Sequence, residues 1–350
     1  MAGSEITPLA FGGSRISRRP GLHRLHGGSW VDDAGTAVVD AITVARLQKL
    51  AIPPAWVRVW ATTDPDDRVQ ATGVDARGRT QYRYAAAATA FAADQKFDHM
   101  LAFADALPEL RTRVAADLRH RPDPAVNPRA DFVIAGIVRL LERGLFRVGN
   151  ERYARDNHTY GLTTIRREHV RVTGPAVAFD FVGKEHLRHR VTVVDRDASR
   201  VITALLAQPG EPDAELFVAG GAGSAHPIHS TEVNAYLHNH SRAPATAKVF
   251  RTWGATAAAT AVVGGAESTA GGGRSIDVAA IRAAADLLGN TPTVAKSSYV
   301  HPAAFDAGRS AKVVAAVDDA AGRLVTRDVR VLFVDPIVQT AVLDALRAIA

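Results

Sequence analysis

Five polar side chains between residues 147 and 299 combine the residue types needed to transfer a phosphodiester onto an amino acid. They are Tyr299, Arg147, Lys184, Arg251 and Asn290. Such a transfer needs a nucleophile, neutralisation of charge on the non-bridging phosphate oxygens, and an acid for the leaving oxygen. A phenol can be the nucleophile, guanidiniums bind phosphate through paired donors, and a partly desolvated lysine can release a proton. The set predicts a reversible tyrosine phosphoester.

Each of these residues has a commoner interpretation when it is taken alone. Arg147 would be a surface arginine, Lys184 a solvated lysine at a hairpin tip, and Tyr299 a buried phenol. Their order along the chain and the strings that flank them are what favour a joint site.

Composition limits the class of protein. The chain has 350 residues, 47% hydrophobic and 22% charged, which is typical of a globular protein with room for two domains. Lys and Arg number 42 against 36 Asp and Glu, so the formal net charge of +6 modestly favours a polyanionic partner. There is no cysteine, which excludes disulfides, thiolate zinc sites and a cysteine nucleophile.

Targeting signals are not evident in the sequence. The first twenty residues lack an apolar core followed by a cleavage site, and the most apolar run, 255–266, is too short to span a bilayer. We therefore expect a cytoplasmic protein without a membrane anchor.

The periodicity of apolar residues predicts an α+β protein with two domains. Residues 1–97 form a small β-rich domain, because alternating segments at 56–60, around Val69 and at 81–84 are separated by turns. Residues 98–350 form a mainly helical domain. Its predicted helices cover 97–119, 131–143, 255–263, 277–288 and 336–350, and a β-hairpin covers 177–194 with Gly183 and Lys184 at its turn.

Several strings of the sequence resemble the type IB DNA topoisomerases, in the compact form found in poxviruses and bacteria. In order they are IPPAW (52–56), DARGRTQYRY (75–84), FRVGNERYARDN (146–157), FVGK (181–184), AKVFRTW (247–253) and LGNTP (288–292), followed by Tyr299. The resemblance runs from about Ile52 to Pro302, and the joint pattern is highly specific.

The resemblance implies a role for each of the five residues. Tyr299 would attack the scissile phosphate and hold the 3′ end, while Arg147 and Arg251 would bind the non-bridging oxygens. Lys184, at the hairpin tip, would protonate the 5′ oxygen. Asn290 stands where the viral enzymes and the tyrosine recombinases have histidine, so it could donate a neutral hydrogen bond but could not transfer a proton.

The resemblance also implies a set of residues that bind DNA and an architecture that surrounds it. The set consists of Gln81, Tyr82, Tyr84, Asn150, Tyr153 and Lys248. Asn150 replaces a lysine that helps the viral enzymes to read their target. The fold would be the one shared by tyrosine recombinases and type IB topoisomerases, closed as a C-shaped clamp around duplex DNA.

The implied enzyme is an isomerase that acts as a monomer on double-stranded DNA at the nucleoid. It would relax supercoils of both signs through strand rotation, with no metal, nucleotide or other cofactor. The main alternative is a tyrosine site-specific recombinase, which uses the same residue types. Recombinases typically have His-x-x-Arg at the second arginine, whereas this chain has Lys248 three residues before Arg251.

Four histidines, His226, His229, His238 and His240, lie close together in the sequence. Metal ligation is one interpretation, and surface or phosphate-contacting histidines are the other. The sequence favours the second, because no acid or cysteine is placed to complete a ligand set.

Overall fold

The computed structural model describes residues 20–120, 127–220, 225–267 and 274–349. The chain separates into two compact units, Met1–Lys96 and Phe97–Ala350. The first unit is built mainly on a β-sheet and the second mainly on helices. The predicted α+β class is therefore confirmed.

The first unit contains a five-stranded antiparallel sheet. Its strands are β1 (Leu22–Arg24), β2 (Trp30–Asp32), β3 (Val57–Ala61), β4 (Val69–Val74) and β5 (Thr80–Tyr84), and helix α1 covers Ala41–Lys49. The order across the sheet is β2-β1-β3-β4-β5, which places β5 at an edge. The strands predicted at 56–60, around Val69 and at 81–84 are confirmed.

A tight turn built by Asp75 presents the edge strand β5. The Asp75 carboxylate accepts the backbone N–H of Arg77 at 2.9 Å and that of Arg79 at 3.0 Å. Gly78 has a φ of +72°, a conformation that glycine adopts without strain. The turn therefore sets the register in which Tyr82 of β5 pairs with Thr72 of β4.

Helices and two small sheets follow β5 in chain order. The helices are α2 (Ala86–Leu118), α3 (Ala130–Gly144), α4 (Glu151–Asn157), α5 (Arg196–Leu206), α6 (Ser230–His240), α7 (Ala247–Glu267), α8 (Arg274–Leu288), α9 (Pro292–Ser298), α10 (Ala304–Gly308), α11 (Ala311–Leu324), α12 (Val329–Leu332) and α13 (Pro336–Ile349). One antiparallel sheet contains β6 (Val170–Thr173), β7 (Ala176–Val182) and β8 (Arg188–Val194), and another pairs β9 (Val218–Ala219) with β10 (His226–Pro227). The helices predicted at 131–143 and 336–350 are confirmed.

Two helices begin at least eight residues earlier than the sequence pattern predicted. Helix α2 begins at Ala86 rather than at 97, and α7 begins at Ala247 rather than at 255. The first extension is rich in alanine, which has the highest helix propensity but contributes little to apolar periodicity. The start of α7 contains Lys248 and Arg251, whose charges interrupt the apolar stripe. The arginine is buried all the same, because tertiary contacts pair its guanidinium.

Helix α7 lies in the core of the second unit. Its residues Ala255, Ala257, Ala258 and Ala259 have no exposed surface. A Cβ atom added to Gly254 would lie 2.4 Å from Cδ2 of Leu145, so the Leu145 side chain packs directly against the α7 backbone. Small residues thus allow the close approach that brings the end of α3 next to α7.

The predicted hairpin at 177–194 is confirmed, but its turn is longer than expected. Phe181 pairs with His189 and Val182 with Arg188, which leaves residues 183–187 as the loop. Glu185 and His186 both have positive φ angles, of 68° and 58°, in the left-handed region that side chains other than glycine seldom adopt. The loop is closed by the Gly183 N–H, which donates to the Leu187 carbonyl at 2.8 Å.

A buried ion pair joins α2 to α3. Glu142 is 7% exposed and accepts a hydrogen bond from Nε of Arg111 at 2.7 Å. The same guanidinium donates to Oε1 of Gln339, so the pair also reaches α13. A buried carboxylate that loses its cation is costly, because nothing replaces the lost hydration.

We expect Arg111→Met to lower the free energy of unfolding by about 2 kcal/mol, since it removes the hydrogen-bonded cation of the buried Glu142 and leaves only Arg139, whose Nη1 is 3.8 Å from Oε2. Urea denaturation followed by circular dichroism measures the change. Arg242→Met is the matched control, because its guanidinium is 62% exposed and pairs with carboxylates 3.6 and 3.7 Å away. The control should cost no more than about 1 kcal/mol. Equal losses in the two variants would contradict this interpretation of the buried pair.

Candidate active site

Arg147 lies in an extended segment directly after α3. The helix ends at Leu145, which has a φ of +49° and turns the chain toward Arg147. The Arg147 carbonyl accepts the Leu162 N–H at 2.8 Å, and a Cβ on Gly161 would come within 2.5 Å of Cα of Gly149. Because the backbone of residues 147–149 contacts that of residues 161–162 directly, the position of Arg147 is tightly defined.

Arg251 is buried, with 4% of its surface exposed, and its guanidinium joins the ends of two helices. Nη1 donates to the Leu145 carbonyl at the end of α3, and Nη2 donates to the Leu288 carbonyl at the end of α8 at 3.0 Å. Cations are favourable at helix C-termini, where carbonyl groups lack helical partners. Burial, together with the charge of Arg147, lowers the Arg251 pKa to about 10, so the group stays charged at neutral pH.

Tyr299 lies at the C-terminal end of the short helix α9 and is half-buried. Its backbone carbonyl accepts the Thr256 hydroxyl of α7 at 3.2 Å, which anchors the end of α9 to that helix. Cζ of Arg251 lies 5.2 Å from the centre of the phenol ring. Burial alone would raise the Tyr299 pKa, but the charges of Arg251 and Arg147 outweigh it and hold the pKa below its usual value.

Asn290 follows the left-handed Gly289 (φ +58°) at the end of α8. Its Oδ1 accepts a hydrogen bond from Nη2 of Arg147 at 2.5 Å. Its Nδ2 is buried and has no hydrogen-bond partner among the described residues. The contact with Arg147 therefore orients the carboxamide.

Lys184 lies at the tip of the β7–β8 hairpin, with 65% of its side chain exposed. Its Nζ is 3.9 Å from Oε1 of Glu185. Lys184, Arg147 and Arg251 line one cavity of about 190 Å³. Direct contacts join Arg147 to Asn290 and Arg251 to Tyr299, whereas Lys184 borders the same cavity as the two arginines from a solvent-exposed loop.

The predicted DNA-binding residues of the second unit are exposed. Asn150 caps α4, accepting the Tyr153 N–H at 3.2 Å, and the Tyr153 side chain is 45% exposed. Lys248 is exposed on α7, one turn before the buried Arg251. These side chains can therefore contact a ligand without any rearrangement of the core.

The three candidates of the first unit lie on the edge strand β5. Tyr82 and Tyr84 are 38% and 48% exposed, and their rings are stacked with centroids 6.1 Å apart. Gln81 alternates to the other face of the strand, where its Nε2 donates to Asp75 at 2.9 Å. The structure thus groups the two tyrosines and separates Gln81 from them.

Sequence reasoning missed His189, which lines the same cavity as Lys184 and Arg251. Burial, and then the charges of Arg147 and Arg251, lower the pKa of His189, so the imidazole is favoured in its neutral form. The expected turn at Gly183 and Lys184 concealed it, because a two-residue turn would place His186 rather than His189 opposite Phe181.

The sequence cluster of histidines separates in the structure. His226 pairs with Glu232 at 3.1 Å, and His229 pairs with Glu151 at 2.7 Å. His240 packs instead against the ring of Tyr236, with centroids 4.5 Å apart. Among the described residues, no three or more histidines and carboxylates come together in a way that could hold a metal ion.

The arrangement provides the groups for transferring a phosphate to the Tyr299 hydroxyl. The phenol lies under the buried guanidinium of Arg251, the charge of Arg147 also acts on it, and the Asn290 carboxamide is hydrogen-bonded to Arg147. These groups favour the phenolate and provide donors for a phosphate in the position where the charge would develop.

Two family models match the chain. Residues 88–316 match the catalytic core of eukaryotic DNA topoisomerase I, which covers well over half of the chain. Residues 27–75 match the N-terminal domain of bacterial DNA topoisomerase IB. The first match contains all five candidate active-site residues, and the second falls on the sheet of the first unit.

Individual relatives match over shorter regions. DNA topoisomerase 1B of Acanthamoeba polyphaga mimivirus is 30% identical over 214 residues, which is 61% of this chain and 62% of the relative. DNA topoisomerase 1 of Mycosarcoma maydis is 28% identical over 37% of this chain and 14% of the relative. DNA topoisomerase 1 of rabbit fibroma virus (strain Kasza) is 27% identical over 41% of this chain and 44% of the relative. The chain thus spans less than two thirds of the length of each.

The helices of the described residues were also compared with the requirements of a membrane span. None of them is both long enough and apolar enough to cross a bilayer.

Proposed function

We propose that this chain, which belongs to the type IB DNA topoisomerases, relaxes supercoiled duplex DNA by cutting and rejoining one strand. The observation that carries the proposal is the position of Arg251. Its buried guanidinium is bound by carbonyls at the ends of α3 and α8 and lies over the ring of Tyr299. A structural arginine would need no phenol beside it, whereas a phosphotyrosine site requires this pair.

The proposed reaction breaks one bond as it forms another. The Tyr299 oxygen attacks the scissile phosphorus, and the bond from phosphorus to the 5′ oxygen breaks as the tyrosine ester forms. Lys184 donates a proton to the departing 5′ oxygen, while the phenol proton is lost to solvent. Arg147 and Arg251 stabilise the charge on the non-bridging oxygens, and Nδ2 of Asn290 adds a neutral hydrogen bond. Religation is the reverse reaction.

We propose that neither ATP nor a metal ion takes part. The phosphotyrosine bond keeps the energy of the phosphodiester, so religation needs no external source. Two guanidiniums and one ammonium supply the positive charge and the acid that metal ions provide in other phosphoryl-transfer sites. Torque in the DNA drives rotation of the free 5′ end, so supercoils of either sign should relax.

We assign the first unit to binding the duplex. Tyr82 and Tyr84 form an exposed stacked pair on an edge strand, which suits contact with sugars and phosphates beside the cut. Gln81 would contribute from the other face of the strand. With Asn150, Tyr153 and Lys248 of the second unit, they would hold the DNA inside a C-shaped clamp. The enzyme would act as a monomer on nucleoid DNA in the cytoplasm.

A tyrosine site-specific recombinase remains the second candidate, because it uses the same residue types. Lys248 disfavours it, since this exposed lysine stands where recombinases typically have a histidine. A recombinase would also need a defined site and a tetramer, whereas a topoisomerase acts on any supercoiled plasmid.

Relaxation of plasmid DNA in EDTA without ATP tests the proposed function. We expect the chain to convert both negatively and positively supercoiled plasmids of arbitrary sequence into relaxed ladders of topoisomers. Binding without any relaxation would contradict the proposal. Activity confined to one inserted sequence, with a tetrameric complex in sedimentation, would favour the recombinase.

A further inference from the structure

His189 occupies a position that the proposed reaction does not use. It lies on β8 opposite Phe181, and the two rings stack with centroids 5.4 Å apart and planes inclined by 24°. The imidazole is half-buried, in the cavity between the hairpin and the end of α8.

Two glycines contact different edges of the His189 ring. A Cβ on Gly183 would lie 2.4 Å from Cδ2, and a Cβ on Gly289 would lie 2.6 Å from Cε1. Real Cβ atoms do not come so close, so the ring is in contact with bare backbone on both sides. Gly183 directly precedes Lys184, and Gly289 directly precedes Asn290.

We infer that the His189 ring is a spacer that positions Lys184 relative to Asn290, an inference that rests on the proposed function. The ring touches both turns, so it links the exposed hairpin tip to the end of α8. Lys184 and Asn290 act on different oxygens of the same phosphate, so the distance between their two turns determines whether both reach it.

The character of the ring fits this role. It is held on one face by Phe181, so it cannot swing away from the two glycines without losing that stacking. It also stays neutral beside Arg147 and Arg251, because burial and their charges lower its pKa. A lysine or arginine in its place would add a third cation to the pair. His189 is thus a positioning residue rather than a catalytic one.

The first experiment measures the spacer without DNA. His189→Ala should increase the picosecond-to-nanosecond mobility of the backbone amides of Gly183, Lys184, Gly289 and Asn290, as seen in 15N relaxation of the whole chain. His240→Ala is the matched control, because His240 is also half-buried and packs against an aromatic ring, that of Tyr236. It should leave those amides unchanged. Unchanged mobility in both variants would overturn the inference, whether or not the chain cleaves DNA.

The second experiment measures cleavage in single turnover. We expect His189→Ala to slow cleavage by about 10- to 100-fold with unchanged DNA affinity, and His189→Gln, which keeps a planar side chain, to recover most of the rate. A substrate with sulfur as the 5′ bridging atom needs no acid, and Asn290→Ala removes the other positioned group. On that substrate, adding His189→Ala to Asn290→Ala should change the rate less than about twofold, because both groups served by the spacer are then bypassed.

The outcomes separate the two levels of the proposal. A persistent loss on the sulfur substrate in the Asn290→Ala background would show that His189 acts by another route and would overturn the spacer. If the wild type itself does not cleave, the proposed function fails. The 15N relaxation measurement without DNA still decides whether the His189 ring positions the two turns. If His189→Ala does not fold, His189→Gln and His189→Asn provide the same comparison with smaller changes in packing.

Discussion

Tyr299→Phe is expected to abolish covalent capture of DNA and to lower relaxation by roughly a factor of 10⁴ or more, while leaving DNA affinity intact. The change removes one oxygen from a half-buried ring and keeps the ring under Arg251. Nothing else in the proposed set can form the phosphoester, so no partial activity should remain.

We expect Tyr299 to be the nucleophile because its phenol has a different electrostatic environment from that of Tyr236, which is also shielded from solvent. Burial raises the pKa of Tyr236 well above its usual value, and the neighbouring Asp117 adds to the effect, because its carboxylate accepts a hydrogen bond from the Tyr236 hydroxyl at 2.7 Å. Tyr299 is also partly buried, yet Arg251 and Arg147 bring its pKa below the usual value. A neighbouring carboxylate thus raises the pKa of Tyr236, whereas neighbouring guanidiniums lower the pKa of Tyr299. Tyr299 is therefore the phenol that loses its proton more readily.

Tyr236→Phe is therefore the matched control for this prediction. Both variants and the wild type would be incubated with radiolabelled duplex and denatured, and the protein-linked DNA would be measured on a gel. Tyr236→Phe should capture DNA at the wild-type level, although loss of the hydrogen bond to Asp117 costs about 1 kcal/mol of stability. Capture by Tyr299→Phe, or equal losses in the two variants, would exclude Tyr299 as the nucleophile.

Lys184→Ala is expected to slow cleavage by about 10²- to 10⁴-fold, the usual contribution of a general acid. The lysine is 65% exposed at the hairpin tip, so its removal leaves no cavity and the fold should be unaffected. The DNA affinity should fall little, because one of many phosphate contacts is lost.

A 5′ bridging sulfur should restore the rate of Lys184→Ala, because a thiolate leaves without protonation. Lys248→Ala is the control, since Lys248 is likewise exposed but lies on α7 rather than on the hairpin. Lys248→Ala should weaken DNA binding and reduce the salt dependence of that binding. Its cleavage rate should change with the sulfur substrate only as much as that of the wild type does. If Lys184→Ala remains slow on the sulfur substrate, Lys184 is not the acid.

Local patterns predicted those elements whose residues alternate or repeat clearly. The hairpin at 177–194 and the helix at 131–143 were found this way because their apolar residues are evenly spaced. The predicted start of α7 was wrong because Lys248 and Arg251 interrupt its apolar stripe, and Arg251 is buried there by pairing with carbonyls distant in sequence. The predicted turn at Gly183 and Lys184 was too short, because the left-handed Glu185 and His186 that extend it to residue 187 have no sequence signature.

The sequence by itself determined the family, the order of the chemical groups and their residue types. Short strings such as FRVGN and LGNTP suffice for this, because the groups needed for phosphate transfer are few and their flanking residues are specific. Their roles in catalysis stay predictions until the variants are measured. The α+β class also followed from the sequence, since periodicity depends only on near neighbours.

Only the tertiary structure decided how those groups meet. Arg251 is positioned by carbonyls at Leu145 and Leu288, which lie far from it along the chain, and Asn290 is oriented by Arg147. His189 contacts Gly183 and Gly289 for the same reason. The unpaired carbonyls at helix ends, and the backbone that glycine leaves open, become partners only when packing brings distant segments together.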